Sequence, residues 1–389
     1  MSNTFSRPSP IRTDASNAFA NHTMRVRVPK IIRDVQAWNP DYPAPIQRAL
    51  DHLHDTIEEG AVIPMLSLPA PNDEDWADAH ARHAGDTWDS TGWFYAEVFV
   101  YAHLMQAVRW WETGRDPFAP RKAEEIASLA LWQTLEQALE TRSMEREERL
   151  AALLIHALWG NRIDLSYAAA LAHGGTWIDS DLLVGDQAKA AEFLLRHGGV
   201  IHIIHDNTGT ELAMDLALAD GLLDGVAEQV ILHLKFHPTY VSDATLGDLL
   251  QLLDIFESGA RGDDARQMSR RLQNAFIAGR LRLAPDLFWN SSHFLWELPP
   301  RLDRLFRDAS LVIVKGDANY RRTVGDAIWQ PDTPLQAAVN GFPAPLLLLR
   351  TLKSYPVVGL PTGMAETLDP IDADWRVNGR RGVIQTSWT

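Results

Sequence analysis

The chain has 389 residues, no cysteine, and a net charge of −15 from 36 basic and 51 acidic side chains. At about 100–200 residues per domain the length predicts two structural units, and 46% apolar residues supply a large core. Without cysteine there can be no disulfide, thiolate zinc site, iron–sulfur cluster or cysteine nucleophile, and the acidic balance argues against a nucleic-acid partner, which needs a basic face.

Residues 1–24 are rich in Ser, Asn and Pro and lack an apolar run, so they read as a mobile tail and not a signal peptide. The stretch "TPLQAAVNGFPAPLLLL" carries three prolines and makes a poor membrane span. The expectation is a cytoplasmic protein without a membrane partner.

Residues 25–185 read as a helical N-terminal subdomain. Ile46, Leu50, Leu53 and Ile57 recur at helical spacing, and Gly60 follows as a stop. "GWFYAEVFVYAHLMQAVRWW" predicts a long apolar helix with Glu97 embedded in it. A buried carboxylate there needs a partner, or a cleft to face. "AEEIASLALWQTLEQALE" and "EREERLAALLIHALW" predict two amphipathic helices with acidic first turns.

From 186 to 389 the pattern alternates. Strands are expected at "VIHII" (200–204), "VILHLK" (230–235) and "SLVIVK" (310–315). Helices are expected at "DQAKAAEFLLRHGG", "GTELAMDLALADGLL", "DATLGDLLQLLDIF" and around 300–308. Further strands are read at "PLLLLRT" and "PVVGL", and "WRVNGRRGVIQTSW" as a closing hairpin. Alternation of this kind predicts βαβ units and a mostly parallel sheet in an α/β/α core.

Sites in such sheets lie at the carboxyl ends of the strands. The first strand is followed by Asp206 and Asn207, the second by Asp243, and the third by "KGDANYRR" with Lys315, Asp317, Asn319 and Arg321. Asp206, Asn207 and Asp243 offer oxygen donors suited to a hard cation such as Mg²⁺ or Mn²⁺. Neighbours on a regular strand point to opposite faces, so Asp206 and Asn207 can share an ion only if the chain turns there. Helix caps account for the same three residues, and by spacing alone caps are the commoner use. Lys315 and Arg321 could clamp a phosphate. Asp317 could serve as general acid, nucleophile or acceptor for a sugar hydroxyl. Arg350 and Lys353 in "LLLLRTLKS" mark another strand end. His202 and His205 point to opposite faces and are not a natural metal pair. Asn161 and Asp164 follow a helix end, where capping is the simple use.

The motifs "HDNTGTEL", "KGDANYR" and "RTLK", supported by "WFYAEVFVY", "LWGNRIDLS", "FWNSSHFLWELP" and "WRVNGRRGVIQ", resemble the damage-control phosphatase family (domain of unknown function 89). "RTLK" points to its subfamily III, the acidic residue methyltransferase 1-like proteins. The resemblance runs from about residue 90 to the C-terminus. It implies a three-layer α/β/α core with a helical N-terminal subdomain. It also implies a metal-dependent phosphatase acting on small phosphate esters, with sugar phosphates such as fructose 1-phosphate as the expected class. The implied cofactor is a divalent metal ion (Mn²⁺, Mg²⁺, Co²⁺ or Ni²⁺) on Asp206, Asn207 and Asp243. The implied substrate contacts are Asp206, Asn207, Asp317, Ala318, Asn319, Tyr320, Arg321 and Lys353, with Asp206 and Asp317 as catalytic candidates. The alternative is an S-adenosylmethionine-dependent protein-glutamate O-methyltransferase. The single glycine in "DNTGTE" disfavours it, because the common methyltransferase sheet places a glycine-rich loop after its first strand. A non-enzymatic metabolite sensor on the same fold is a third reading.

Overall fold

A computed structural model of the chain describes residues 6–67, 70–160 and 181–388. Seven strands form one sheet: β1 (Leu182–Gly185), β2 (Val200–Ile204), β3 (Gln229–Lys235), β4 (Leu281–Asp286), β5 (Leu311–Lys315), β6 (Leu346–Thr351) and β7 (Gly382–Ser387). Their spatial order is β1-β7-β6-β5-β2-β3-β4. The run β6-β5-β2-β3-β4 is parallel, and β7 pairs antiparallel to β6 and parallel to β1. Chain order runs outward from β2 to β3 and β4, then returns to β5 on the other side of β2. The crevice between β2 and β5 is therefore the topological switch point.

Among the described residues, thirteen helices have eight residues or more. They are α1 (Val28–Trp38), α2 (Ala44–Glu58), α3 (Asp73–Arg82), α4 (Trp93–Ala107), α5 (Ala119–Ala127), α6 (Leu129–Glu140), α7 (Arg146–Trp159), α8 (Gln187–His197), α9 (Thr210–Leu223), α10 (Leu246–Glu257), α11 (Asp263–Ile277), α12 (Pro300–Arg307) and α13 (Asp317–Val324). One apolar cluster joins α6–α11 to one face of the sheet. A second, around Trp289, Phe306, Tyr320 and Trp375, covers the other face. A third holds the N-terminal helices around Trp88, Phe99 and Leu104. Every residue of α9 is buried, as expected of a helix apolar nearly all round between sheet and outer helices. Its charged residues are paired: Glu211 and Asp215 with Lys315, Asp220 with Arg271.

Several expectations need correction. The segment before residue 24 is not a free tail from Ile11 onward. Ile11, Thr13, Asn17 and Ala20 are buried, and Ile11 N–H donates to the Asp326 carbonyl at 2.8 Å. Packing also does not change at 185, since α6, α7 and β1 belong to the sheet layer. The "AEEIASLALWQTLEQALE" helix is broken at Ser128, whose hydroxyl caps α6 by accepting from Ala130 N–H at 3.2 Å. "PVVGL" is not a strand, and the C-terminal segment contributes β7 alone instead of a hairpin. β1 and β4 add two strands to those the residue pattern predicts, and β4 carries Pro285, which an edge strand tolerates. Asn161 and Asp164 lie outside the described residues.

His202 and His233, on neighbouring strands, are buried, with Nδ1 of the first 2.8 Å from Nε2 of the second. Burial lowers His202 to about 4, and it takes His233 well below the ordinary histidine range, with His202 and His205 adding to the effect. An unfolded histidine binds its proton near pH 6.5, whereas these bind it in the folded chain only at much lower pH. Falling pH therefore favours the unfolded state. The stability they contribute is complete above about pH 6.5 and is lost progressively towards pH 4, by up to about 1.4 kcal/mol per pH unit for each group. Because the raised carboxyls of the cleft titrate in the same window with the opposite sign, the test is a difference: the stability of the wild type minus that of His202→Gln, from urea unfolding, is expected to shrink from pH 7 to 4.5, and a difference independent of pH would contradict it.

Candidate active site

The switch point brings the ends of β2 and β5 into contact. Gly316, directly after β5, has φ +84°, and a Cβ there would sit 2.0 Å from Asp206 Oδ2. Only a glycine at that position lets β5 approach the Asp206 carboxylate. The loops after β2 and β3 are tied together: Ala244 N–H donates to the Asp206 carbonyl and Thr208 N–H to the Ser242 carbonyl, both at 2.7 Å. This tie sets Asp243 beside Asn207. The chain has already left the strand at Ile204, so the alternation that would separate Asp206 from Asn207 no longer applies.

A cleft of about 160 Å³ opens here. Its sheet side is lined by Asp206, Asn207, Tyr240, Ser242, Asp243, Asp317, Ala318, Arg321 and Lys353. Its other side is helical: Phe19, Thr23, Arg27, Val28, Ile31, Trp93, Glu97 and Tyr101. Arg27 closes a π-helical turn, Thr23–Arg27, a geometry frequently found at functional sites.

Carboxylates crowd the floor. Asn207 Nδ2 donates to Asp206 Oδ2 at 2.9 Å and to Glu211 Oε2 at 3.0 Å, and its Oδ1 accepts from Ser242 Oγ at 2.6 Å. Burial, then Glu211 and Asp243, push the Asp206 carboxyl well above the usual range. Asp243 is raised to about 6 by burial, against the pull of Lys235 and Lys122. Its Oδ2 pairs with Lys235 Nζ at 3.2 Å. Burial acts against the Asp317 carboxylate too, but Arg350 and then Arg321 outweigh it and hold the group below its ordinary value. Asp317 Oδ1 accepts from Arg350 Nε at 2.8 Å and from Lys353 N–H at 3.0 Å. So fixed, the Asp317 carboxylate serves as an acceptor for Arg350 and for the Lys353 backbone.

Some expected contacts lie elsewhere. Lys315 is not a phosphate clamp: it is buried beneath the site between Glu211 Oε1 (2.9 Å) and Asp215 Oδ1 (2.8 Å). Arg321 lines the cleft, but its charge is engaged by Glu97 at 2.6 Å and Asp326 at 2.7 Å. Asn319 turns inward and donates to the His205 and Lys315 carbonyls at 2.8 and 3.0 Å. Tyr320 packs below, its hydroxyl donating to Gln385 Oε1 at 3.2 Å. Arg350, read as a charged strand end, is fully buried and orients Asp317. His205 bonds Asp215 through Nδ1 and, like His202, does not line the cleft.

Glu211, Lys235, Arg27 and the conformation of Tyr240–Val241 are functional features that the strand-end pattern does not single out. Glu211 had a signal, since it stands in the first turn of the helix after "DNTG". Tyr240 and Val241 adopt φ +46° and +70°, left-handed values that cost non-glycine residues on the order of 1–3 kcal/mol each. Nothing in their residue types announces it.

The donors at Asp206, Asn207 and Asp243 fit a hard divalent cation. All are oxygens, and the two carboxylates are buried among like charges. A separate group, His54, Asp55 and Glu58, also has ligand atoms within 4.8 Å of one another. It lies on the surface of α2, away from the cleft, and Arg33 pairs with Asp55 there at 3.6 Å.

Fold and cleft together define a doubly wound α/β protein with acidic oxygen donors at the switch point. Comparison with known proteins agrees. The profile of the damage-control phosphatase ARMT1-like domain matches residues 23–368, and the chain belongs to that phosphatase family. It is 30% identical over 335 residues to damage-control phosphatase ARMT1 of Danio rerio, covering 77% of this chain and 74% of the relative. The human protein of that name is 28% identical over 337 residues, covering 77% and 75%. In fold, the chain is similar to a solved DUF89 family protein from Pyrococcus horikoshii, with a TM-score of 0.52 at 15% identity, covering 95% of this chain and 98% of the other. No helix among the described residues is long and apolar enough to cross a membrane.

Proposed function

We propose that this chain is a divalent-cation-dependent phosphatase of small sugar phosphates, fructose 1-phosphate among them. The observation that carries the reading is the meeting of Asp206, Asn207 and Asp243 at the β2–β5 switch point, in a cleft that also holds Lys353. Asp206, Asn207 and Asp243 would hold the cation. When bound, such an ion polarises the phosphoryl group and lowers the pKa of water.

The chain's own residues divide the remaining work. Asp206 is the carboxylate facing the phosphoryl group. Lys353 balances phosphate charge. The first turn of α13, through Asp317 and Ala318, presents the positive end of its helix dipole to the cleft. Asp317, fixed by Arg350, accepts a hydrogen bond from a substrate hydroxyl. Asn319 and Tyr320 position this turn from below, and Arg321 braces the helical wall through Glu97.

The test is phosphate release from a panel of sugar phosphates with Mg²⁺, Mn²⁺, Co²⁺ or Ni²⁺. Activity that EDTA abolishes and one of these metals restores is expected. Chelator-insensitive hydrolysis, or none over the whole panel, would overturn the reading.

A further inference from the structure

Helix α4 is buried from Trp93 to Met105, yet it carries a carboxylate and a phenol one turn apart, Glu97 and Tyr101. Both line the cleft, and so does Trp93 one turn before them. Glu97 Oε2 accepts from Arg321 Nη1 at 2.6 Å, while Oε1 takes no hydrogen bond from the described residues. The Tyr101 ring is held by Tyr240 and Phe118, with centroids at 5.1 and 6.1 Å. Its hydroxyl has no partner among the described residues, and Tyr101 lines the cleft. Arg27 adds a guanidinium without an ion pair among the described residues. The Arg321 guanidinium lies 3.8 Å above the Trp93 ring and stiffens this wall.

A carboxylate oxygen and a phenol hydroxyl left open in a cleft, beside an aromatic face, are suited to hydroxyl groups. Asp206 and Lys353 line the sheet side of the cleft, and Arg27, Glu97 and Tyr101 its helical side. The two sides of the cleft thus carry different recognition chemistry. We propose that Glu97 and Tyr101 are specificity residues that bind hydroxyl groups on the alcohol part of the substrate, Glu97 Oε1 as acceptor and the Tyr101 hydroxyl as donor or acceptor. The wall selects polyhydroxylated phosphate esters over esters of simple alcohols. This rests on the phosphatase reading for the position of the phosphate, but binding tests it without turnover.

The experiment is calorimetric titration of the full chain with fructose 1-phosphate and, separately, with inorganic phosphate, both with Ca²⁺ in place of the activating metals so that the ester is bound and not hydrolysed. Tyr101→Phe removes only the open hydroxyl and keeps the ring packing. It is expected to weaken fructose 1-phosphate binding about 3- to 10-fold relative to inorganic phosphate, the range of one neutral hydrogen bond. Glu97→Gln keeps the side chain's size and is expected to widen the gap to about 10-fold or more, because the lost acceptor is charged. In turnover the same variants raise KM for the sugar phosphate more than they lower kcat. An equal change for both ligands, or no change for either, overturns the proposal, as does a wild-type chain that does not bind fructose 1-phosphate. A wild-type chain that binds fructose 1-phosphate but releases no phosphate overturns the phosphatase reading, while the comparison of variants still decides this one.

Discussion

Asp206→Asn is expected to lower metal-dependent phosphate release on the order of 10³-fold. A catalytic cation contributes several kcal/mol, and each ~1.4 kcal/mol is a decade in rate. The substitution is nearly isosteric, so the close contact with Gly316 and the backbone tie to Ala244 are kept. What it removes is one charge from a floor shared with Glu211 and Asp243. Like-charge repulsion and burial both act against the ionised Asp206, so without metal the variant should melt at the same temperature or higher. Its melting temperature should no longer rise when Mn²⁺ is added, whereas that of the wild type should. Thermal melts with and without Mn²⁺, beside the rate, check both halves. A variant that keeps its rate within tenfold and its Mn²⁺ shift would remove Asp206 from the site.

Lys315→Met carries the largest expected effect on stability. Lys315 is fully buried and bridges Glu211 and Asp215, which are 2% and 0% exposed. Burial works against its charge, but Asp215 and then Glu211 more than restore it, so its pKa is raised. Removing the ammonium leaves two buried carboxylates without it, a loss of about 3–5 kcal/mol. The triple replacement Lys315→Met, Glu211→Gln, Asp215→Asn should recover much of that, since no uncompensated charge remains. Activity should fall too. Asp215 fixes His205, the residue before Asp206, and Glu211 holds Asn207 at 3.0 Å. Urea unfolding measures the first effect, and a loss below about 1 kcal/mol would mean the triad is not coupled to folding.

Much of the fold is legible in residue patterns. The β-branched run at 200–204 and the apolar runs before Lys235 and Lys315 are strands because both faces of a parallel sheet are buried. The misses share a cause. β4 reads weakly because an edge strand is only partly buried and can carry Pro285. The α5–α6 break depends on one serine that competes with the helix for a backbone N–H. "PVVGL" is apolar but has no neighbouring strand to pair with.

For the site, the sequence by itself determined which side chains stand at strand ends. Asp206, Asn207, Asp243 and Asp317 are there because the strands before them end where the apolar runs end. Only the tertiary structure decided which strand ends meet, because the order around β2 follows from pairing between segments about a hundred residues apart. It also decided which charges remain open to a ligand. Lys315 and Arg321 look like phosphate clamps in one dimension, but burial obliges each to find carboxylates: Glu211 and Asp215 for one, Glu97 and Asp326 for the other. Lys353 and Arg27 stay at the rim of the cleft, where water solvates them, so their charge remains available to a substrate. A linear motif specifies residue type, but desolvation, which exists only once the chain has folded, sets whether a cation serves the structure or the ligand.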